Sequence, residues 1–378
     1  MKDNVQQITR IAVKVGSNVL TRQDGTLDVT RMSALTDQVA ELHKQGVEVI
    51  LISSGAVASG RSEVTPIRKL DSVEQRQLFS AVGQAKLINR YYELFREHHI
   101  TVGQILTTKE NFGSRGHYLN QKHCMTVMVE NGIIPIVNEN DTVSVTELMF
   151  TDNDELSGLI ATMMDVQLLI ILSNIDGIYN GSPEDPASCV IREIAPGMDL
   201  DNYVQQSKSS FGRGGMITKT RIARKVADEG ITVIIANGRR DHILPDIVQR
   251  EQERLSGGPE HAASAGSDLP YTTFIPSLTP VSSVKKWIAH SDGFAKGAIR
   301  LNEATTRLLS DETPMSILPI GLTAVEGEFE KDDIIRVIGS HGELIGVGKA
   351  AYSAEQAAAI LGKRGEKPVI HYDYLYIE

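Results

Sequence analysis

The sequence predicts an α/β protein, a mostly parallel sheet sandwiched by helices, with a small, mainly β domain at its C-terminal end. Three observations predict it. The first 240 residues alternate short β-branched runs with helical patterns, a stretch rich in Gly, Ser, Ala and Pro follows at 256–280, and short strands broken by Gly-rich turns fill 281–378. A chain of 378 residues also exceeds the roughly 150 of one domain. The expected boundaries are therefore 1–255, a linker at 256–280, and 281–378.

The strand runs are Arg10–Val15, Val47–Ile52, Val102–Thr107, Ile133–Val137, Val166–Leu172 and Thr232–Ile235. Their alternation with helices implies parallel pairing, because each return to the sheet needs a crossover. Between the first two runs, Met32, Leu35, Val39 and Leu42 recur at the three and four spacing of one helical face, with Asp28 or Thr30 to cap the start and Gly46 the end. A long helix is predicted over Val73–Arg96. Another opens near Thr218, with Ile222 and Val226 on one face and Gly230 at its end. In the tail, Ile317–Leu322, Ile334–Ile338, Glu343–Lys349 and Val369–Tyr374 read as strands and Ala354–Leu361 as a helix.

Composition removes several classes of function. With 38 basic and 48 acidic side chains the formal charge is -10, which disfavours nucleic acid and anionic membranes as partners. Residues 281–378 hold 11 Lys or Arg against 14 Asp or Glu, so the tail lacks the basic face of an RNA reader. No apolar run approaches the ~18 residues of a membrane span, and the polar opening MKDNVQQITR reads as no leader. Cys124 and Cys189 are the only cysteines, too few for a disulfide framework or a cysteine-rich zinc site; a reducing cytoplasm is the expected setting. His98, His99, His117 and His123 show no ligand spacing, so no metal-ligating residue is expected. The chain lacks G-x-x-x-x-G-K-[ST], H-R-D and D-F-G, and Gly346, Gly348 and Ala351 fall too near its end to open a dinucleotide-binding unit.

Four polar or Gly-rich segments remain, each after a strand or at a helix start. In Lys14-Val15-Gly16-Ser17-Asn18 the lysine stands where the strand ends, the place ligands occupy in a parallel sheet, or else it is a surface lysine. Ser53-Ser54-Gly55-Ala56-Val57-Ala58-Ser59-Gly60 offers backbone N–H groups and hydroxyls to an anion, or a tight turn chosen for packing. Asn138-Glu139-Asn140-Asp141 and Asp152-Asn153-Asp154-Glu155 could hold an ammonium group, lysines or magnesium, or serve as solvated caps. Gly212-Arg213-Gly214-Gly215-Met216-Ile217-Thr218-Lys219 combines flexible glycines, a helix N-terminus and a lysine one turn in, a phosphate cradle without a Walker sequence, or a plain helix-initiating loop.

In this order, KVGSNVLT, SSGAVASG, AVGQAKLI, GQILTT, IPIVNENDTVSV, DNDELS and GGMITK resemble the amino acid kinase superfamily, and within it the glutamate 5-kinases. The segment from Trp287 through GVGKAAYSAE to KPVIHYDYL is similar to a pseudouridine synthase and archaeosine transglycosylase (PUA) domain. The resemblance implies ATP-dependent phosphorylation of the γ-carboxylate of L-glutamate, the first step of proline biosynthesis from glutamate, with ATP as substrate alongside Mg2+. It implies Lys14 and Lys219 at the transferring phosphoryl group, Asp154 holding them, and glutamate against Ser54, Asp141 and Asn153. The nucleotide would lie beside Lys14, Ser173, Asn174, Arg213, Gly214, Gly215, Met216, Ile217, Thr218 and Lys219. Further implications are a homo-oligomer (dimer or tetramer), proline as feedback inhibitor, and a link to glutamate-5-semialdehyde dehydrogenase. Two positions depart from the family: Ser173-Asn174 stands where Thr-Asp is common, and Arg213 within Gly-Arg-Gly-Gly-Met where the family often has Thr. The alternatives are a same-fold kinase for acetylglutamate, aspartate or carbamate, an RNA-binding factor, and a catalytically silent homologue.

Overall fold

A computed structural model describes residues 7–144, 150, 153–198, 200, 216–257, 269–278, 283–289, 294–310 and 315–377. The chain divides into two units, Met1–Lys109 with Asn120–Pro280, and Glu110–Leu119 with Val281–Glu378.

In chain order the elements begin with β1 (Arg10–Val15), α1 (Ser17–Leu20), α2 (Val29–Lys44), β2 (Glu48–Ser53), α3 (Ala56–Arg61), α4 (Ser72–Glu97), β3 (Val102–Thr107), α5 (Glu110–Gly113), α6 (Arg115–Glu130) and β4 (Ile134–Glu139). There follow α7 (Asn153–Met163), β5 (Leu168–Ser173), β6 (Glu193–Ile194), α8 (Met216–Asp228), β7 (Thr232–Asn237), α9 (Ile243–Gly257) and β8 (Tyr271–Phe274). The six strand runs expected from the sequence are all strands, displaced by at most two residues at either end. Helix α2 buries Met32, Leu35, Val39 and Leu42 as its spacing requires, and Asp28 caps it by accepting from the Arg31 amide at 3.1 Å. Helix α4 opens on a reciprocal capping box between Asp71 and Glu74.

The strands of the first unit form one sheet in the order β3-β4-β2-β1-β5-β7-β8-β6, parallel throughout except where β7 meets β8. From β1 the chain crosses to β2 on one side, whereas β5 pairs on the other. The C-terminal ends of β1 and β5 therefore form a topological switch point, where an open α/β sheet leaves a crevice. Strand β8 lies inside the stretch 256–280 expected to be linker. Thr272, Thr273 and Phe274 are buried there, a four-residue strand that its Gly-, Ser- and Ala-rich surroundings hide from a compositional reading.

The second unit continues with α10 (Ser283–Ala289), β9 (Gly297–Leu301), α11 (Glu303–Ser310), β10 (Leu322–Gly327), β11 (Ile334–Ile338), β12 (Leu344–Lys349), α12 (Ala354–Ala359) and β13 (Leu375–Ile377). Its strands order β10-β9-β11-β12-β13 around buried Ile299, Val337, Val347 and Ile370. Two expected strands are displaced. Ile317 makes a single bridge to Ile370, then Pro319, which has no N–H to give a ladder, opens a 3-10 turn before β10 begins. Residues Tyr372–Tyr374 likewise form a 3-10 turn ahead of β13. Glu110–Leu119 belongs to this unit through its aromatics: the Trp287 indole N–H donates to the Phe112 carbonyl at 2.8 Å, and the Arg115 guanidinium lies 5.4 Å from the Trp287 ring centre and 5.3 Å from that of Tyr118. No described helix is long and apolar enough to cross a membrane.

Candidate active site

The crevice at the switch point is built from strand ends. Lys14 occupies the central strand β1, between Ile52 of β2 and Ile171 of β5, and is 4% exposed. A lysine so deeply placed needs a counter-charge. Asp154, in the first turn of α7 and wholly buried, provides it: Lys14 Nζ lies 2.5 Å from one carboxylate oxygen and Lys219 Nζ 2.7 Å from the other. Burial pushes the Asp154 carboxyl upward, but the two ammonium groups prevail and hold it below the usual carboxylate range. Lys14 and Lys219 stand 205 positions apart in sequence, and a glycine lets them meet. A Cβ on Gly158, one turn beyond Asp154, would lie 2.9 Å from a methyl of Ile222 and 3.1 Å from one of Val226, the apolar face of α8 that follows Lys219. The bare backbone of α7 thus admits α8 closely enough to set both lysines on one carboxylate.

Beside this triad is a cavity of about 220 Å3 lined by Ser17, Ser54, Gly55, Ala56, Val57, Ala58, Arg76, Asn138, Glu139, Asp141, Phe150 and Asn153. Asn153, adjacent in sequence to Asp154, donates to Ser54 Oγ at 2.9 Å and to Asn138 Oδ1 at 3.0 Å. Asn138 in turn donates to Gln84 Oε1 at 2.9 Å. Gly55 adopts φ +107, a left-handed turn that suits glycine, and turns the chain from β2 into α3. Helix α3 then crosses α4 at Gly60 and Gly83, where a Cβ would sit 1.8 Å from the Phe79 carbonyl oxygen and 1.9 Å from that of Ala56. Tyr91 completes the scaffold with its hydroxyl 2.8 Å from Ser53 Oγ; burial pushes this phenol up to about 12.

At the cavity's acidic end, Arg76 of α4 reaches Glu139 at 2.6 Å and Asp141 at 2.5 Å. Burial raises both carboxyls, Arg76 opposes the rise, and Asp141 adds to it at Glu139. The other oxygen of Glu139 accepts from the Phe150 amide at 3.0 Å.

The structure therefore brings Ser54, Asp141 and Asn153 around one cavity, and Lys14, Asp154 and Lys219 into one ion cluster. Ser173 and Asn174 lie at the C-terminal end of β5, with the Ser173 carbonyl accepting from Gly238 at 2.8 Å. Met216, Ile217 and Thr218 form the first turn of α8, Ile217 facing outward. Arg213, Gly214 and Gly215, like Asp152, lie outside the described residues.

Residues 9–237 match the model of the amino acid kinase family, and residues 303–372 that of the PUA domain. A glutamate 5-kinase of Bacteroides thetaiotaomicron is 71% identical over 373 residues, covering 99% of both chains. The chain belongs to the amino acid kinase family, among its glutamate 5-kinases. A glutamate 5-kinase of Chlorobaculum tepidum is 47% identical over 370 residues, covering 97% of each chain, and one of Methylococcus capsulatus 35% identical over 381, again covering 97% of each.

Within this glutamate 5-kinase fold, sequence reasoning missed Arg76 and Gln84. A signal was present. Arg76, Ser80, Gly83 and Gln84 recur at four, three and one along α4, polar or small residues on a stripe that an amphipathic helix would fill with apolar ones. Polar groups on such a stripe face something polar: Arg76 lines the cavity, and Gln84 accepts from Asn138, which also lines it.

Proposed function

We propose that this glutamate 5-kinase transfers the γ-phosphoryl group of ATP to the γ-carboxylate of L-glutamate, giving γ-glutamyl phosphate in the first step of proline biosynthesis. The observation that carries the reading is the pair of lysines held on buried Asp154 beside a cavity rich in carboxylates and amides. A γ-carboxylate, with an ordinary pKa near ~4.3, is ionised at pH 7 and attacks without a general base. What opposes the reaction is repulsion between two anions. Lys14 and Lys219 relieve it, and because charge spreads over the oxygens of the moving phosphoryl group, they act more strongly in the transition state than on bound ATP. Asp154 fixes their direction in advance, so little reorganisation remains at the moment of transfer. Magnesium would come with ATP as part of the substrate and would neutralise further charge there; among the described residues each oxygen of Asp154 already faces a lysine. In this reading glutamate lies against Ser54, Asn153 and Asp141, with the Ser54 hydroxyl donating to a substrate carboxylate and Asn153 Oδ1 and the Asp141 carboxylate accepting from its ammonium group. We extend the reading to a cytoplasmic homo-oligomer, to proline competing with glutamate at Asp141 and Asn153, and to hand-over of the labile acyl phosphate to the next enzyme, glutamate-5-semialdehyde dehydrogenase.

A coupled assay of ADP formation against a panel of glutamate, N-acetylglutamate, aspartate and carbamate tests it. Turnover with glutamate well above the others is expected; preference for another acid overturns the assignment.

A further inference from the structure

Resting on the glutamate reading, we propose that Arg76 is a positioning residue for the substrate's ammonium group: it spans Glu139 and Asp141, keeps both carboxylates charged, and leaves the cavity's acidic end with one net negative charge for a free amino group.

The geometry requires such a part. Glu139 and Asp141 are 4% and 9% exposed, stand two residues apart at the end of β4, and both open on the same cavity. Two buried carboxylates that close compete for one proton unless a cation is shared between them. Arg76 is that cation. Its Nε lies 2.6 Å from Asp141 Oδ1, and its terminal nitrogen lies 2.5 Å from the same oxygen and 2.6 Å from Glu139 Oε2. A planar guanidinium can serve two carboxylates at once, which a lysine's point charge does less well. Among the described residues Arg76 is the one cation that opposes the rise at either carboxyl, and Glu139 is further relieved by accepting from the Phe150 amide. Two carboxylates against one guanidinium leave a single negative charge, the complement of one ammonium. An N-acylated amino acid brings no cation to balance it.

Removing Arg76 therefore leaves turnover chemistry in place but makes glutamate binding depend on pH. With the guanidinium gone the pair titrates at higher pH, because burial and mutual repulsion both favour the protonated form. The KM for glutamate should rise as pH falls through that value, because the proton the pair then shares is held part of the time by Asp141, the carboxylate assigned to the ammonium group.

The experiment measures kcat and KM for glutamate from pH 5.5 to 9 in the parent enzyme, R76Q, R76K, E139Q and R76Q/E139Q. In R76Q the acid limb of the KM profile should move up by at least about one pH unit, KM at pH 7 should rise roughly tenfold, and kcat should change much less. R76K should fall between. The double variant should regain most of the lost affinity, since a neutral glutamine ends the competition for a proton; a purely structural role predicts additive damage instead. Should R76Q fail to fold, E139Q alone decides the matter: Asp141 then has Arg76 to itself and the two charges cancel, so the KM for glutamate should rise across the range while its acid limb moves down. Superimposable KM profiles for parent and variants overturn the proposal. A parent enzyme that does not use glutamate overturns the underlying assignment instead, so the two failures are distinguishable.

Discussion

Asp154→Asn removes the carboxylate on which buried Lys14 and half-buried Lys219 both rest. At the effective dielectric of about 20 suited to protein sites, a charge pair at the observed 2.5 to 2.7 Å is worth about 6 kcal/mol before desolvation is subtracted. Breaking a buried pair by deleting one partner costs about 3–5 kcal/mol net, and the asparagine oxygen still accepts from one lysine, so the low end of that range applies. The other ammonium must turn away or lose its proton. Either result unmakes the arrangement presented to the phosphoryl group, and kcat should fall about 10²- to 10³-fold. Thermal unfolding of the variant should come at lower temperature, with part of the deficit recovered on adding a non-hydrolysable ATP analogue, whose phosphates supply the missing negative charge. The pH dependence has a definite sign. Asp154 has a lowered pKa in the folded protein, so its stabilisation is complete above the unfolded value near 3.8 and is lost as pH falls through the folded one. The stability gap between parent and variant should therefore close only below about pH 4. Glutamate-dependent ADP release and calorimetry read both effects. A kcat within about threefold of the parent, with an unchanged unfolding temperature, would refute the reasoning.

Other substitutions probe the same construction. Lys14→Ala and Lys219→Ala should each lower kcat by about 10²-fold or more with a smaller rise in the KM for glutamate; near-normal kcat in either removes that lysine from the chemistry. Gly158→Ala places a methyl 2.9 Å from Ile222 and should displace α8, costing turnover more than stability, as paired kinetic and melting measurements will tell. Gly83→Ala meets a carbonyl oxygen at 1.9 Å and should destabilise by about 2 kcal/mol or more; a melting curve matching the parent's shows that the helices can part freely. Ser54→Ala withdraws the acceptor for Asn153 and should raise the KM for glutamate severalfold, with an unaltered KM counting against that hydrogen bond.

The sheet was legible because its signals are local: β-branched runs and the three and four spacing of α2 need no knowledge of distant residues. The lysines were also visible, but their convergence was not a local fact; it depends on Gly158, a small residue with no chemistry of its own to attract notice. Arg76 escaped because a single arginine in a long, charged helix looks solvated, and only its packing against the end of β4 turns it inward. Strand β8 was lost in the opposite way, its four residues too short to stand out from the Gly- and Ser-rich composition around them. In the tail, β9 and α11 went unread because Gly297 opens the strand and polar residues dominate the helix.

The second unit is discontinuous in sequence, and this bears on how the protein comes into being. A ribosome releases Phe112 and Tyr118 long before Trp287, the indole that engages Phe112 being 175 residues further on. Two aromatics that end up 1% and 5% exposed are therefore made well before the indole that packs beside them. Translation order and folding order thus cannot coincide here, because a decapeptide made early belongs to the same compact unit as the last hundred or so residues. A gene shortened to end before α10 would take the Trp287 indole from that decapeptide, so trimming the tail calls for polar residues at 112 and 118 as well.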